Sequence, residues 1–172
     1  MPAGGNVVAA AKKSAELVVS LFRERGVDAI SVRLPAVWGP RGRRQSRFFA
    51  APALLHAAVS GKSPPRAHAD DAIDLLYVKD CARAIALLQT AAQLSHSTYN
   101  IGSGRATSNA EVVAVIRRVV PGAEPPLEPG RSPHGAEAYL DTTRLRADVG
   151  FEPEYDLDRA VADYVGWLTD GS

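Results

Sequence analysis

The first segment of the chain has hydrophobic residues at helical spacing, with charged residues falling largely between them. The apolar positions are Val7, Val8, Ala11, Ala15, Val18, Val19 and Phe22. Gly26 is well placed to end such a segment, because glycine adopts the left-handed conformation that closes many helices. The pattern therefore predicts an amphipathic helix.

A β-rich run follows this helix. Residues 30–34 end at Pro35, which predicts a short buried strand that leads into a loop over residues 38–42. A helix followed by a strand in this order indicates a parallel α/β unit.

The rest of the chain alternates between predicted helices and strands. We expect helices over residues 47–59 and 80–93, from 108 to 121, over 142–149 and after 156, and strands over residues 73–78, 98–101 and 138–141. Ser108 and Glu111 form a capping-box pattern, Asp80 and Asp156 are candidate caps, and Pro52 is a candidate start for the first of these helices. The proline-rich residues 124–133 predict a surface loop.

Composition limits the possible classes. A chain of 172 residues fits one compact unit, and the net charge of +1 gives no global field for nucleic acid or a membrane. The single Cys81 cannot form an internal disulfide, and no Cys/His spacing predicts a metal site. We find neither a signal peptide nor a membrane span in the sequence, so the expected location is the cytoplasm.

Five short motifs follow one another along the chain. Residues 32–40 resemble "LRPxNVYGP", residues 74–84 resemble "RDFIYVDDVARA", residues 99–104 resemble "YNIGSG", and residues 150–153 with 167–168 resemble "GWxP…WL". Together with residues 12–18, which resemble the segment after a catalytic tyrosine, they make the chain similar to the extended short-chain dehydrogenase/reductase family, the NAD(P)-dependent epimerases and dehydratases.

This resemblance implies an α/β fold that corresponds to the C-terminal part of the family. It consists of the remainder of a Rossmann-type parallel sheet with helices, plus the small α/β substrate-binding domain. We assign residues 1–46 and 80–104 to the Rossmann remnant and residues 47–79 and 105–172 to the substrate-binding part, within one compact unit.

The resemblance also implies a catalytic Tyr-x-x-x-Lys pair, of which only Lys12 is present. Val8 stands at the tyrosine position. A lysine one helical turn after a tyrosine lowers the pKa of the phenol, which makes it a usable acid or base. Valine has no proton to transfer, so we expect the chain alone to be inactive or severely impaired.

Cofactor binding is implied by the same family, which uses NAD or NADP. Lys12 matches the lysine that contacts the nicotinamide ribose, and Pro35, Ala36 and Val37 match the loop beside the nicotinamide. The glycine string at 102–107 sits where a dinucleotide fingerprint would, but Thr107 replaces the third glycine, and in the family this string turns the chain into a substrate-domain helix. With no other glycine fingerprint in the sequence, we expect no tight cofactor binding by this chain alone.

Two departures from the family concern the substrate. Ala36 replaces an asparagine that holds a substrate phosphate or hydroxyl, and Ile73 replaces an arginine that relatives use on the pyrophosphate of a nucleotide sugar. They favour a smaller, polar, sugar-like substrate such as a free sugar acid. The candidate substrate-binding residues are Trp38, Arg41, Arg43, Arg44 and Arg47. Simple burial of Trp38 and a solvated arginine loop are the alternatives, and a nucleic-acid patch is disfavoured.

Three alternatives to a self-sufficient enzyme stay open: a pseudoenzyme, a module that pairs with a separate Rossmann half, and a reading frame that starts upstream of Met1. Half of a parallel sheet exposes a strand edge and an apolar face, so we expect a homo-oligomer or a covering N-terminal half. Asp80 is expected to cap a helix, and Arg83 to be exposed or ion-paired on it.

Overall fold

The computed structural model describes residues 7–46, 48–133 and 137–170, which contain six helices and seven short strands. The helices are α1 (Val7–Glu24), α2 (Ala51–Ser60), α3 (Val78–Thr90), α4 (Asn109–Val119), α5 (Thr143–Val149) and α6 (Leu157–Thr169). The strands are β1 (Ser31–Arg33), β2 (Ala36–Trp38), β3 (Ala72–Ile73), β4 (Leu75–Tyr77), β5 (Thr98–Asn100), β6 (Thr107–Ser108) and β7 (Glu137–Ala138).

Parallel strand pairs organise the centre of the fold. β1 pairs in parallel with β5, and β2 pairs in parallel with β4. A small third sheet has the order β6-β3-β7, in which β3 is antiparallel to β6 and parallel to β7. The α/β class predicted from the sequence is confirmed.

Two apolar clusters hold these elements together. In the first, α2, α4 and α6 pack with Trp38 and Tyr77 from β2 and β4. In the second, residues of α3 and α5 pack around Tyr99 and Ile101 at the end of β5. Leu76 belongs to the second cluster while its neighbour Tyr77 belongs to the first, because successive residues of a strand point to opposite faces.

Most helices lie where the hydrophobic pattern predicts them. Their capping residues show whether the predicted ends of the helices are correct. The capping box at Ser108 and Glu111 is confirmed, as is the Asp156 cap of α6. α2 begins at Ala51, so Pro52 occupies its first turn, where proline is tolerated. α3 ends at Thr90 rather than near residue 93.

The prediction that Asp80 caps a helix is wrong. α3 begins after Tyr77, and Asp80 lies within its first turn with only 1% of its surface exposed. Its carboxylate accepts hydrogen bonds from the backbone N–H groups of Glu154 and Tyr155, at 3.0 and 2.9 Å. Asp80 therefore fixes the segment that precedes α6. Arg83 forms an ion pair with Glu154 at 3.2 Å. This agrees with one of the two predictions for Arg83, that it is ion-paired on the helix.

Two strand predictions also need correction, and one strand was not predicted. The single strand predicted over residues 73–78 is divided at Asp74 into β3 and β4, and residues 36–38 form a strand, β2, that we did not predict. The strand predicted over residues 138–141 is β7, which ends at Ala138. Each of these strands has only two or three residues, which is too short for periodicity to reveal.

Candidate functional site

The candidate site lies at the carboxyl end of β1, and α1 brings Lys12 towards it. Arg23 of α1 donates a hydrogen bond to the carbonyl of Ala29, just before β1, at 2.8 Å. Glu16, two turns earlier in α1, binds Arg33 at the end of β1. The helix therefore runs antiparallel to β1, and Lys12, one turn before Glu16, lies further towards the carboxyl end of the strand. Ligands of parallel α/β sheets bind at this edge.

The ion pair between Glu16 and Arg33 fixes this arrangement. Arg33 donates two hydrogen bonds to the Glu16 carboxylate, from Nε at 2.6 Å and from Nη2 at 2.7 Å. The hydrogen bond from Arg33 lowers the pKa of Glu16, so the carboxylate stays charged. Because a bidentate pair has a defined geometry, it orients the face of α1 that also carries Lys12.

Lys12 and Val8 lie on the same side of α1, and both are exposed. Val8 precedes Lys12 by one helical turn, in the position that the sequence comparison assigns to a tyrosine. A phenol at this position would lie within reach of the Lys12 ammonium group. The isopropyl group of Val8 offers no proton at the same place.

The three residues of the predicted nicotinamide loop are divided between surface and core. Pro35 is half-buried, whereas the Ala36 side chain is buried in the first apolar cluster and its N–H donates to the carbonyl of Asp74 at 3.1 Å. Val37 packs against the second cluster. The segment thus forms the start of β2, and Ala36 has no polar group to offer a ligand.

The glycine string after β5 is held by a buried carboxylate. Asp74 accepts hydrogen bonds from the N–H and the hydroxyl of Ser103, at 2.8 and 2.6 Å, and from the N–H of Leu140 at 3.1 Å. The backbone donor of Ser103 is therefore already used. The same Asp74 carboxylate lies against Gly102, at the place where a dinucleotide fingerprint would receive a phosphate.

A pocket of about 430 Å³ lies between α2, β3 and β7. Ile73, which the sequence singled out as the replacement for an arginine, lies in its wall. Phe48 borders it with an exposed ring. The charged residues among its described lining are Arg66 and Asp71, and Arg66 is paired with Glu128 at 3.2 Å. The pocket therefore has little net charge for a diphosphate.

The predicted basic run does not converge on this pocket. Arg41, Arg43 and Arg44 are exposed, and none of the three belongs to the pocket's described lining. Burial of His56 lowers the pKa of its imidazole, and the positive charge of Arg44 lowers that pKa further. Arg47, the fourth residue of the run, lies outside the described residues.

Trp38 packs in the first cluster, with 3% of its surface exposed, in edge-to-face contact with Tyr77 and Tyr164. It also borders a smaller pocket of about 250 Å³ together with Tyr155 and Arg105. The ring is therefore a packing residue that also borders a pocket, and its assignment to substrate binding stays a prediction.

The roles of two residues near the candidate site were not predicted from the sequence. Asp74 was recognised as part of a motif, but its role in holding the Ser103 loop was not. A charged residue inside an otherwise apolar strand is the signal that could have revealed it, because a buried carboxylate needs several donors. Arg66 was missed because an arginine between a diproline and an alanine has the pattern of any exposed turn.

Comparisons with known proteins identify the family. The model of the NAD dependent epimerase/dehydratase family matches residues 6–102. The chain belongs to this family, within the extended short-chain dehydrogenases/reductases.

Its relatives are longer proteins. The low-salt glycan biosynthesis protein Agl12 of Haloferax volcanii is 28% identical over 166 residues, which cover 92% of this chain and 52% of that protein. The dTDP-glucose 4,6-dehydratase of an Actinoplanes species is 24% identical, over 92% of this chain and 50% of the dehydratase. The chain therefore spans about half the length of the curated relatives it matches.

Solved structures show the same fold. L-threonine 3-dehydrogenase from Trypanosoma brucei superposes with a TM-score of 0.85 at 22% identity, over 99% of this chain and 56% of the dehydrogenase. UDP-N-acetylglucosamine 4-epimerase from Methanobrevibacter ruminantium gives a TM-score of 0.81 at 24% identity, over 95% and 54% of the two chains. No helix in the described part of this chain is long and apolar enough to span a membrane.

Proposed function

We propose that this chain supplies the substrate-binding part of an NAD(P)-dependent epimerase, dehydratase or dehydrogenase acting on a sugar-like alcohol, and that it performs no hydride transfer by itself. The observation that carries the proposal is Val8, one turn before Lys12 at the carboxyl edge of β1. The edge keeps the lysine of the catalytic pair and has lost the group that would exchange a proton with the substrate alcohol.

The residues of this edge do not fit a complete dinucleotide. Lys12 and Pro35 could border the nicotinamide end, but the pyrophosphate needs free backbone donors at a glycine turn. In the loop after β5 the Ser103 N–H is bound to Asp74, and the Asp74 carboxylate would repel a phosphate. We therefore derive no step through NAD(P) on this chain alone.

An activity assay tests this directly. The purified chain, incubated with NAD+ or NADP+ and a panel of sugar alcohols, should give no increase in absorbance of the reduced cofactor. Val8→Tyr should restore no turnover by itself, because the described part of the chain still offers no glycine turn with free backbone donors for the pyrophosphate. Turnover by the unmodified chain would contradict the proposal.

The substrate is a small polar sugar derivative rather than a nucleotide sugar. Two relatives are named for dTDP-glucose and UDP-N-acetylglucosamine, but in this chain Ile73 occupies the wall of the pocket between α2, β3 and β7. The charged residues of its described lining are one cation, Arg66, which is paired with Glu128 at 3.2 Å, and one anion, Asp71, so the pocket offers little charge for a diphosphate. The exposed Phe48 ring offers an apolar face to a sugar ring.

Changing Ile73 to arginine should alter this preference. We expect Ile73→Arg to raise the affinity for UDP about tenfold, because a charge-assisted hydrogen bond to a phosphate stabilises the complex by roughly 1.5 kcal/mol. Isothermal titration calorimetry measures the change, and Ile73→Met is the control of similar volume, with no expected gain. Tight binding of UDP by the unmodified chain, unchanged in Ile73→Arg, would contradict the assignment.

A second candidate function is a non-catalytic module that pairs with a separate Rossmann half. The observation that favours it is the apolar surface around β1, where Val32 and Leu34 are 40% and 45% exposed. Among the described residues β1 pairs with β5 alone, so its other edge can accept a further strand. A partner that adds a strand here would cover both side chains.

A further inference from the structure

The smaller pocket of about 250 Å³ has no role in the proposed function. We call it the Trp38 pocket. It shares no described lining residue with the pocket between α2, β3 and β7, so the two are separate sites. Its volume lies below the roughly 300–1,000 Å³ of pockets for drug-sized ligands, which suits a ligand with one small ring. Its apolar walls come from β2, β4, α6 and the segment before α6, and consist of Trp38, Leu75, Tyr77, Tyr155, Leu157 and Ala160.

Two buried carboxylates, one at each end of β4, hold the walls of this pocket in place. Asp74 accepts hydrogen bonds from the N–H and the hydroxyl of Ser103, at 2.8 and 2.6 Å. Asp80 accepts hydrogen bonds from the N–H groups of Glu154 and Tyr155, at 3.0 and 2.9 Å. Both aspartates are 1% exposed, so these charge-assisted bonds are shielded from water. The two loops that border the pocket are therefore fixed before any ligand binds, which reduces the cost of binding.

One buried polar group in the wall of the pocket lacks a partner. Trp38 is 3% exposed, and its indole Nε1–H has no hydrogen-bond partner among the described residues. A buried donor without an acceptor is costly in free energy, and such groups are rare in folded proteins. A ligand that places an oxygen atom against the edge of this ring would satisfy the donor.

Two opposite charges lie at the mouth of the pocket, on different walls, and both side chains are exposed. Arg105 uses only its Nη1, which donates to the carboxylate of Glu111 at 2.8 Å and to the carbonyl of Ala106 at 3.3 Å. Asp156 caps α6 through one carboxylate oxygen, which accepts the N–H of Arg159 at 2.8 Å. Nε and Nη2 of Arg105 and the second oxygen of Asp156 make no hydrogen bond within residues 7–46, 48–133 and 137–170. They can therefore bind a ligand that carries one negative and one positive group.

We propose that the Trp38 pocket binds an aromatic α-amino acid, with tyrosine as the best fit. The ring of the ligand packs against Trp38 and Tyr77, and its phenol oxygen accepts the hydrogen bond from the indole N–H. At the mouth, Arg105 binds the α-carboxylate and Asp156 binds the α-ammonium group. A monosaccharide fits less well, because apolar walls would leave most of its hydroxyl groups without partners. A nucleotide is disfavoured because its phosphates would meet the Asp156 carboxylate.

Isothermal titration calorimetry of the full 172-residue chain with L-tyrosine tests this proposal, which does not depend on the hydride-transfer assignment. We expect saturable binding with a dissociation constant below about 1 mM. L-Phenylalanine, which lacks the phenol oxygen, should bind several-fold more weakly. Tyramine lacks the carboxylate and 3-(4-hydroxyphenyl)propanoate lacks the ammonium group, so each should bind about tenfold more weakly. Binding of D-glucuronate without binding of L-tyrosine would assign the pocket to a sugar acid and overturn the proposal.

Substitutions at the mouth test the two charged contacts. Arg105→Gln should weaken the binding of L-tyrosine about tenfold. Arg117→Gln is the matched control and should leave it unchanged, because both arginines are 53% exposed and each pairs with a glutamate, at 2.8 and 2.7 Å. Asp156→Asn should also weaken binding, while the helix keeps its cap because asparagine caps as well as aspartate does.

The emission of Trp38 reports directly on the proposed pocket. The chain has two tryptophans, so Trp38 is the only one left in Trp167→Phe. When tryptophan is excited selectively, L-tyrosine should change this emission with the dissociation constant that calorimetry gives. Circular dichroism checks that each variant keeps its helices. No saturable binding of L-tyrosine, binding that leaves the Trp38 emission unchanged, or equal losses for Arg105→Gln and Arg117→Gln would overturn the proposal.

Discussion

Replacing Asp74 with alanine should lower the free energy of unfolding by about 3 kcal/mol. The side chain is 1% exposed and accepts three hydrogen bonds, two from Ser103 and one from Leu140. Alanine would leave two backbone N–H groups without an acceptor in a partly buried place, which costs about 1–3 kcal/mol for each group. The midpoint of urea-induced unfolding measures the loss.

Asp71 provides a matched control for this substitution. It accepts the same pair of donors, the N–H and hydroxyl of a serine, from Ser132 at 2.9 and 3.1 Å. Asp71 is partly exposed, so water can replace its carboxylate, and Asp71→Ala should cost only about 1 kcal/mol. Equal losses for the two variants would show that burial of Asp74 does not decide its contribution.

The elements that the sequence predicted well are those long enough to show a period. α1, α4 and α6 each span at least three turns and carry a clear apolar stripe or a cap, so their existence and type could be predicted from local pattern. The first residues of α4 and α6 could be predicted because Ser108 and Asp156 cap these helices through hydrogen bonds to residues three positions later in the sequence.

The contacts that the sequence could not predict join residues far apart in the chain. Asp80 has the sequence context of a helix cap, but it bonds to Glu154 and Tyr155, more than seventy residues later. Gly39 shows the same limit. Its φ of +136° and its packing against Tyr77 and Val78 require glycine, and nothing local to the Trp38-Gly39-Pro40 motif indicates those neighbours.

The candidate site was predicted through family resemblance more than through physical pattern. Lys12 and Lys13 together have the pattern of two solvated surface lysines. Only the later motifs indicate that Lys12 corresponds to the lysine of the family's catalytic pair. The structure adds the ion pair between Glu16 and Arg33, which orients the Lys12 face of α1 and which no local pattern indicates. The roles assigned to Lys12, Pro35, Ala36 and Val37 in cofactor binding, and to Trp38 and the arginines in substrate binding, stay predictions.

Titration of the purified chain with NADH, followed by nicotinamide fluorescence, tests the central claim most directly. We expect no saturable enhancement in the micromolar range, because residues 7–46, 48–133 and 137–170 present no free phosphate-binding turn and Val8 stands where the proton carrier should be. A whole relative such as dTDP-glucose 4,6-dehydratase serves as the positive control. Saturable micromolar binding that Lys12→Ala abolishes and Lys13→Ala preserves would contradict the claim, because it would place an intact dinucleotide on this chain unaided.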